Sequence, residues 1–151
     1  MQSLGRHLIV EMWACHDDTN STDIVRDAMT EAIDAINATL LNLHIERFQP
    51  HGVTGLAVLA ESHFSVHSWP EHGYVAADIF TCGTTAQPER AIDILRKHFQ
   101  PEHVEAYEVS RGIPPELKQR LQLKNVKNSG SETISSVSSV HNRERNSGNQ
   151  I

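Results

Sequence analysis

The sequence predicts an α+β fold: a two-layer α/β sandwich in which one antiparallel-rich sheet carries two helices on one face. Three observations predict it. Strand-like and helix-like patterns succeed one another in the order β-α-β-β-β-β-α-β. Only two stretches have the apolar spacing of an amphipathic helix, too few to cover both faces of a sheet. Four strand-like runs, two of their three junctions marked by Pro and Gly, lie between those helices. One sheet face is then left open. The expected cover is a second copy of the chain, giving a homodimer with its sheets face to face.

Along the chain, His7 to Cys15 is apolar and β-prone, with Glu11 as its polar exception. His16 to Thr22 is a turn, and Ser21 or Thr22 caps the first helix. From Asp23 to Ile36 the apolar residues Ile24, Val25, Ala28, Met29, Ala32, Ile33 and Ile36 form a helical stripe. Leu40 to Gln49 alternates as a strand, with Leu41, Leu43, Ile45 and Arg47 on one face. After Pro50-His51-Gly52, the nearly continuous apolar run Val53 to Ala60 suggests a strand buried on both faces. Gly52 to Gly55 suits a tight turn that admits close backbone approach. Strands at His63–Ser68 and Tyr74–Thr81 flank the turn Trp69-Pro70-Glu71-His72-Gly73. Gln87 to Phe99 is the second helix, with Pro88 in its first turn. His103 to Ser110 is the last strand, and Pro114 to Leu123 suits a short terminal helix.

The length of 151 residues suits one domain with a sizeable core, assigned to residues 1–123. Residues 124–151 are rich in Ser, Asn, Lys, Glu and Gly and are expected to form a disordered tail, because so few large apolar groups cannot offset the ordering entropy. The net charge of −6 and the lack of a basic run argue against nucleic acid as a partner. No apolar run is long enough to span a bilayer and no signal peptide is evident, so the expected location is the cytoplasm. Cys15 and Cys82 are far apart in sequence and read as reduced thiols.

Chemistry concentrates in Glu61 to Gly83, ESHFSVHSWPEHGYVAADIFTCG. Three readings compete there. A metal site would use His63 and His67, but in a strand that spacing separates them by about 13 Å, too far for one tetrahedral ion. A Ser or Cys nucleophile beside a His is a second reading, although no GxSxG elbow is present. In the third, Ser62 is consumed to make a cofactor.

The segment GVTGLAVLAESHFSVHSWPEHGYVAADIFTCG, with SLGRHLIVEMWAC and RFQPHGV before it, resembles the prokaryotic S-adenosylmethionine decarboxylases. These are small pyruvoyl-dependent enzymes of polyamine biosynthesis, and the resemblance runs from about Ser3 to about Gly112. It implies a proenzyme that cuts itself between Glu61 and Ser62, into residues 1–61 and 62–151, leaving a pyruvoyl group derived from Ser62. That ketone would capture the substrate amine as a Schiff base and act as the electron sink that ordinary side chains lack. The product would be decarboxylated S-adenosylmethionine, the aminopropyl donor for spermidine.

The resemblance also assigns roles. His67 transfers protons in processing, Cys82 donates a proton to the substrate after CO₂ leaves, and Thr54 stands where the family commonly has a Ser that supports processing. Glu71 falls at the carboxylate that binds the ribose hydroxyls, and Phe48 at the aromatic that stacks on adenine. Glu11 is placed toward the sulfonium or the substrate amine. No metal is implied. Two alternatives remain open at this level: a relative that decarboxylates ornithine or arginine, and a non-catalytic, unprocessed paralogue. A His-rich metal-binding module is a third, more distant.

Overall fold

The computed structural model describes residues 3–114 and 123–125. Its strands are β1 (Gly5–Trp13), β2 (Leu40–Arg47), β3 (Val53–Leu59), β4 (Ser62–Trp69), β5 (Tyr74–Cys82), β6 (His103–Arg111) and the short β7 (Leu123–Asn125). Its helices are α1 (Thr22–Ala35) and α2 (Ala91–Phe99). The strands form one sheet in the order β2-β3-β4-β5-β1-β6-β7. Every pairing is antiparallel. The expected α+β two-layer architecture, with its β-α-β-β-β-β-α-β order, is therefore present. The expected terminal helix lies, from residue 115 to 122, outside the described residues. Leu123–Asn125 pairs with Tyr107–Val109, and residues 126–151 lie outside the description.

Both helices lie on one face because each has one apolar stripe to bury. Ser21 caps α1 through its hydroxyl, which accepts from the Ile24 N–H at 3.3 Å. Val25, Ala28, Met29, Ala32 and Ile33 of α1 and Ala91, Ile92, Leu95 and Phe99 of α2 are buried. They meet Leu8, Val10, Met12, Phe64, Val66, Val75, Ala77 and Ile79 of the sheet in one core. The second helix opens as a 3-10 turn at Pro88–Arg90, so the α-helix proper starts three residues after Pro88.

Three expectations need correction. β3 is not buried on both faces: Val53, Ala57 and Leu59 enter the core, while Leu56 and Val58 are each 52% exposed. Its continuous apolar run conceals an ordinary alternation, with apolar residues on both sides. Gly52–Gly55 is not a turn, since β3 begins at Val53. Gly55 instead admits close approach of α1, as a Cβ there would overlap the Met29 Sδ. Leu41 does not join Leu43 and Ile45 against the core. The register slips between Leu40 and Asn42 on this edge strand, and Leu41 is left exposed.

Phe64 is, with Phe99, the largest fully buried side chain among the described residues and sits on β4, in the interior of the sheet. Phe64→Ala is expected to lower stability by about 3–5 kcal/mol, read as a shift of the urea midpoint at unchanged slope.

Candidate active site

The strand register aligns the sheet face opposite α1 and α2 into rows. One row runs Glu46, Thr54, His67, Ala76, Glu11 and Glu105 across five pairings. A second runs His44, Leu56, Ser65, Asp78, Ile9 and Tyr107. A third runs Val58, His63, Phe80, His7 and Val109. Thr54, His67, Glu11 and Cys82 therefore all belong to the open face, because antiparallel partners share a side.

One end of this face holds the Glu61–Ser62 bond. Ala60 and Glu61 are the loop of a two-residue hairpin, since Leu59 pairs with Ser62. Such hairpins favour positive φ within the loop. Neither loop residue adopts it here. Ser62 does, at φ 152°, in a region nearly confined to Gly and costing about 1–3 kcal/mol. Glu61 is held from two sides. Its carboxylate Oε2 accepts the Thr39 N–H at 2.9 Å, and its carbonyl accepts the Cys82 N–H at 2.8 Å. The Ser62 Oγ lies 3.0 Å from His63 Nδ1. The two cysteines differ: Cys82 is exposed on the strand end beside this bond, whereas burial pushes the Cys15 thiol up to about 11.

The other end holds Thr54 and His67, whose Oγ1 and Nδ1 are 2.5 Å apart. Burial holds the His67 imidazole below its ordinary value, and the Glu71 carboxylate partly offsets this. Rings surround it: Phe48 at 5.9 Å and Trp69 at 4.0 Å, with Trp69 stacked on Tyr74 and Tyr74 on Trp13. The Tyr74 hydroxyl donates to Glu11, and burial together with that carboxylate raises the phenol well above its usual range. Glu71 lies in the 3-10 turn Pro70–His72, with its Oε2 3.2 Å from His51 Nε2. Phe48 is 45% exposed and makes no part of the core.

The sequence-predicted residues thus fall into two groups. Glu61, Ser62 and Cys82 gather at one end of β4. Thr54, His67, Phe48 and Glu71 gather at the other, with Glu11 beside them. Five residue steps along the strand separate Ser62 from His67, roughly 16 Å. Sequence reasoning missed the contact of His51 with Glu71, the Tyr74 donor to Glu11 and the stacked Trp13-Tyr74-Trp69 rings. These contacts cross strands, and no local pattern announces them. Among the described residues no three His, Cys, Asp or Glu side chains are grouped to hold a metal ion. No helix among them is long and apolar enough to cross a membrane.

Fold and site define a two-layer α/β protein whose central hairpin holds a strained Glu-Ser bond beside a thiol. A family model described as S-adenosylmethionine decarboxylase matches residues 6–112. The S-adenosylmethionine decarboxylase proenzyme of Thermomicrobium roseum is 49% identical over 114 residues, covering 75% of this chain and 97% of the relative. That of Methanococcus vannielii is 44% identical over 114 residues, covering 75% and 93%. The crystal structure of the adenosylmethionine decarboxylase from Aquifex aeolicus superposes with a TM-score of 0.70 at 32% identity, covering 77% and 97%. The chain belongs to the S-adenosylmethionine decarboxylase family.

The site makes its own electrostatic prediction. In an NMR titration, His67 is expected to titrate below the ordinary 6.5 of an imidazole. Glu71→Gln removes the anion that favours the charged ring, so it should move the midpoint further down. An upward shift would contradict this arrangement.

Proposed function

We propose that this chain is a self-processing decarboxylase that acts on S-adenosylmethionine through a pyruvoyl group made from its own Ser62. The observation that carries this reading is the Glu61–Ser62 hairpin. A hydroxyl-bearing residue sits in strained backbone directly after a carbonyl that is already polarised by a backbone N–H. That is the arrangement an intramolecular acyl shift needs.

In the proposed sequence the Ser62 Oγ adds to the Glu61 carbonyl carbon. The Cys82 N–H, 2.8 Å from the carbonyl oxygen, stabilises the negative charge that develops there. The C–N bond then breaks, leaving an ester and a free Ser62 amine. Loss of the Ser62 α-proton expels the main-chain α-carboxylate of Glu61, the new C-terminus of the shorter piece, and leaves a dehydroalanine. One water hydrolyses this residue, ammonia departs, and the larger piece begins in pyruvoyl. Its carbonyl supplies the electron sink for decarboxylation. The residues fit such a group: Ser62 is partly exposed with its Oγ 3.0 Å from His63 Nδ1, and Cys82, also exposed, follows its strand partner Thr81.

The remaining roles divide by position. Thr54 orients the His67 ring through its hydroxyl, and His67, kept neutral by burial, is suited to take a proton during processing. Cys82 returns a proton to the substrate carbon after CO₂ leaves. Glu71 accepts the ribose hydroxyls, and the solvent-exposed Phe48 ring offers its face to adenine. Glu11 supplies negative charge toward the sulfonium or the amine.

The separation of roughly 16 Å along β4 gives this reading a quaternary requirement. His67 cannot reach the Ser62 of its own chain. A second copy packed face to face would bring His67 of one chain toward the Glu61–Ser62 hairpin of the other, and would cover the exposed Leu56 and Val58. The proposed active form is this homodimer, each site drawing on both chains.

Intact mass of the purified protein is the direct test: two pieces divided at Glu61–Ser62 are expected. Ser62→Ala should give one uncut chain. Cys82→Ala should still cut while turnover falls at least a hundredfold. A wild-type chain that stays uncut on long incubation would remove the pyruvoyl reading. The shared site has its own test, co-expression of a His67→Ala chain with a Ser62→Ala chain. Cleavage of the His67→Ala chain should exceed that seen when it is expressed alone, because its Ser62 meets an intact His67 from the partner. Equal cleavage in both cases would place the whole machinery within one chain.

A further inference from the structure

The five-residue segment from Phe48 to Gly52 presents two side chains toward one end of the open face. Phe48 packs its ring 5.9 Å from His67, and His51 sets its Nε2 3.2 Å from the Glu71 Oε2. The segment is fixed at both ends. The Phe48 N–H donates to the Gly52 carbonyl at 2.8 Å, and the Gly52 N–H donates to the Asn20 Oδ1 at 2.9 Å. Gly52 has φ +107°, and a Cβ there would also crowd the Ser68 carbonyl at 3.2 Å. A short loop held in this way gives His51 a defined place. Glu71 comes from a different element, the 3-10 turn after β4. The contact therefore ties the loop that carries the adenine-facing ring to the turn that carries the ribose-facing carboxylate.

We infer that His51 is a positioning residue for Glu71. It occupies one carboxylate oxygen, Oε2, and leaves Oε1 free to accept from a vicinal diol. The same contact sets the spacing between Phe48 and Glu71, the two groups that must grip a nucleoside at once. His51 touches neither the Glu61–Ser62 bond nor Cys82, so it acts on binding and not on cleavage or proton return. This inference rests on the reading that Glu71 holds the ribose hydroxyls.

The test is steady-state kinetics with S-adenosylmethionine on fully cleaved His51→Ala, His51→Gln, Glu71→Gln and the His51→Ala/Glu71→Gln double variant. His51→Ala is expected to raise KM about two- to fivefold, the range of a partly exposed polar pair, with kcat within about twofold of wild type. Self-cleavage followed by intact mass should be unchanged. His51→Gln keeps an N–H donor near the Nε2 position and should recover most of the KM. The double variant should have the KM of Glu71→Gln alone, because His51 then has nothing left to position. If Glu71→Gln raises KM and His51→Ala does not, or if the two effects multiply, the inference about His51 is wrong and the ribose reading stands. If Glu71→Gln leaves KM unchanged, the ribose reading itself falls. A purely structural role for His51 would lower the melting temperature and kcat together, without rescue by Gln.

Discussion

The turn at Ala60–Glu61 is the constraint on which the rest depends. Two residues must reverse the chain between β3 and β4, and neither takes the positive φ that would make the reversal easy. The strain passes to Ser62. It persists because the neighbours leave no alternative: the Ala60 N–H donates to the Thr39 carbonyl, the Thr39 N–H returns to the Glu61 carboxylate, and Cys82 fixes the Glu61 carbonyl. These bonds come from the start of β2, the hairpin itself and the end of β5. Three separate parts of the chain must fold before one peptide bond is held in this way.

A sheet interior is what makes the strain tolerable. β4 is paired along both edges, to β3 and to β5, so sliding or flipping the strand to relax Ser62 would break two ladders. Its core-facing side chains Phe64, Val66 and Ser68 are fully buried against the helices. A cost of about 1–3 kcal/mol at one residue is small beside the burial of one such Phe. The same rigidity keeps His67 in its place, with its ring between the Thr54 hydroxyl, Phe48 and Trp69. Strand geometry thus sets both the strained bond and the distance that separates it from the imidazole.

Much of this was legible in the sequence. Period-3.6 stripes in α1 and α2 and the Pro and Gly signals around Trp69–Gly73 located the layers, because side-chain direction and turn chemistry are local properties. Ser62, His67 and Cys82 were singled out for a different reason: their order along the chain resembles that of a known family. Burial of β3 was misread because Leu56 and Val58 are as apolar as the residues facing the core, so hydrophobicity alone could not tell inside from outside. His51 was passed over because its partner Glu71 lies on another loop, and only the folded register brings them within 3.2 Å. For the same reason the sequence grouped Ser62 and His67 without showing that five steps of extended chain hold them apart within one chain.

The exposed apolar residues of β3 take on meaning from that separation. Leu56 lies in the middle row of the open face, and Val58 one row nearer the Glu61–Ser62 end. A two-fold axis through the middle row would exchange the ends of the face between two copies. Each strained hairpin would then lie above the partner's Thr54–His67 pair, across the roughly 10 Å that separates packed sheets. The apolar residues would meet near the axis, and the titratable groups would meet on either side of it. In the proposed dimer, the surface that excludes water is thus also the one that completes each site. That dual use would account for Leu and Val on a strand face turned away from its own core, where a monomer would be better served by Thr or Lys.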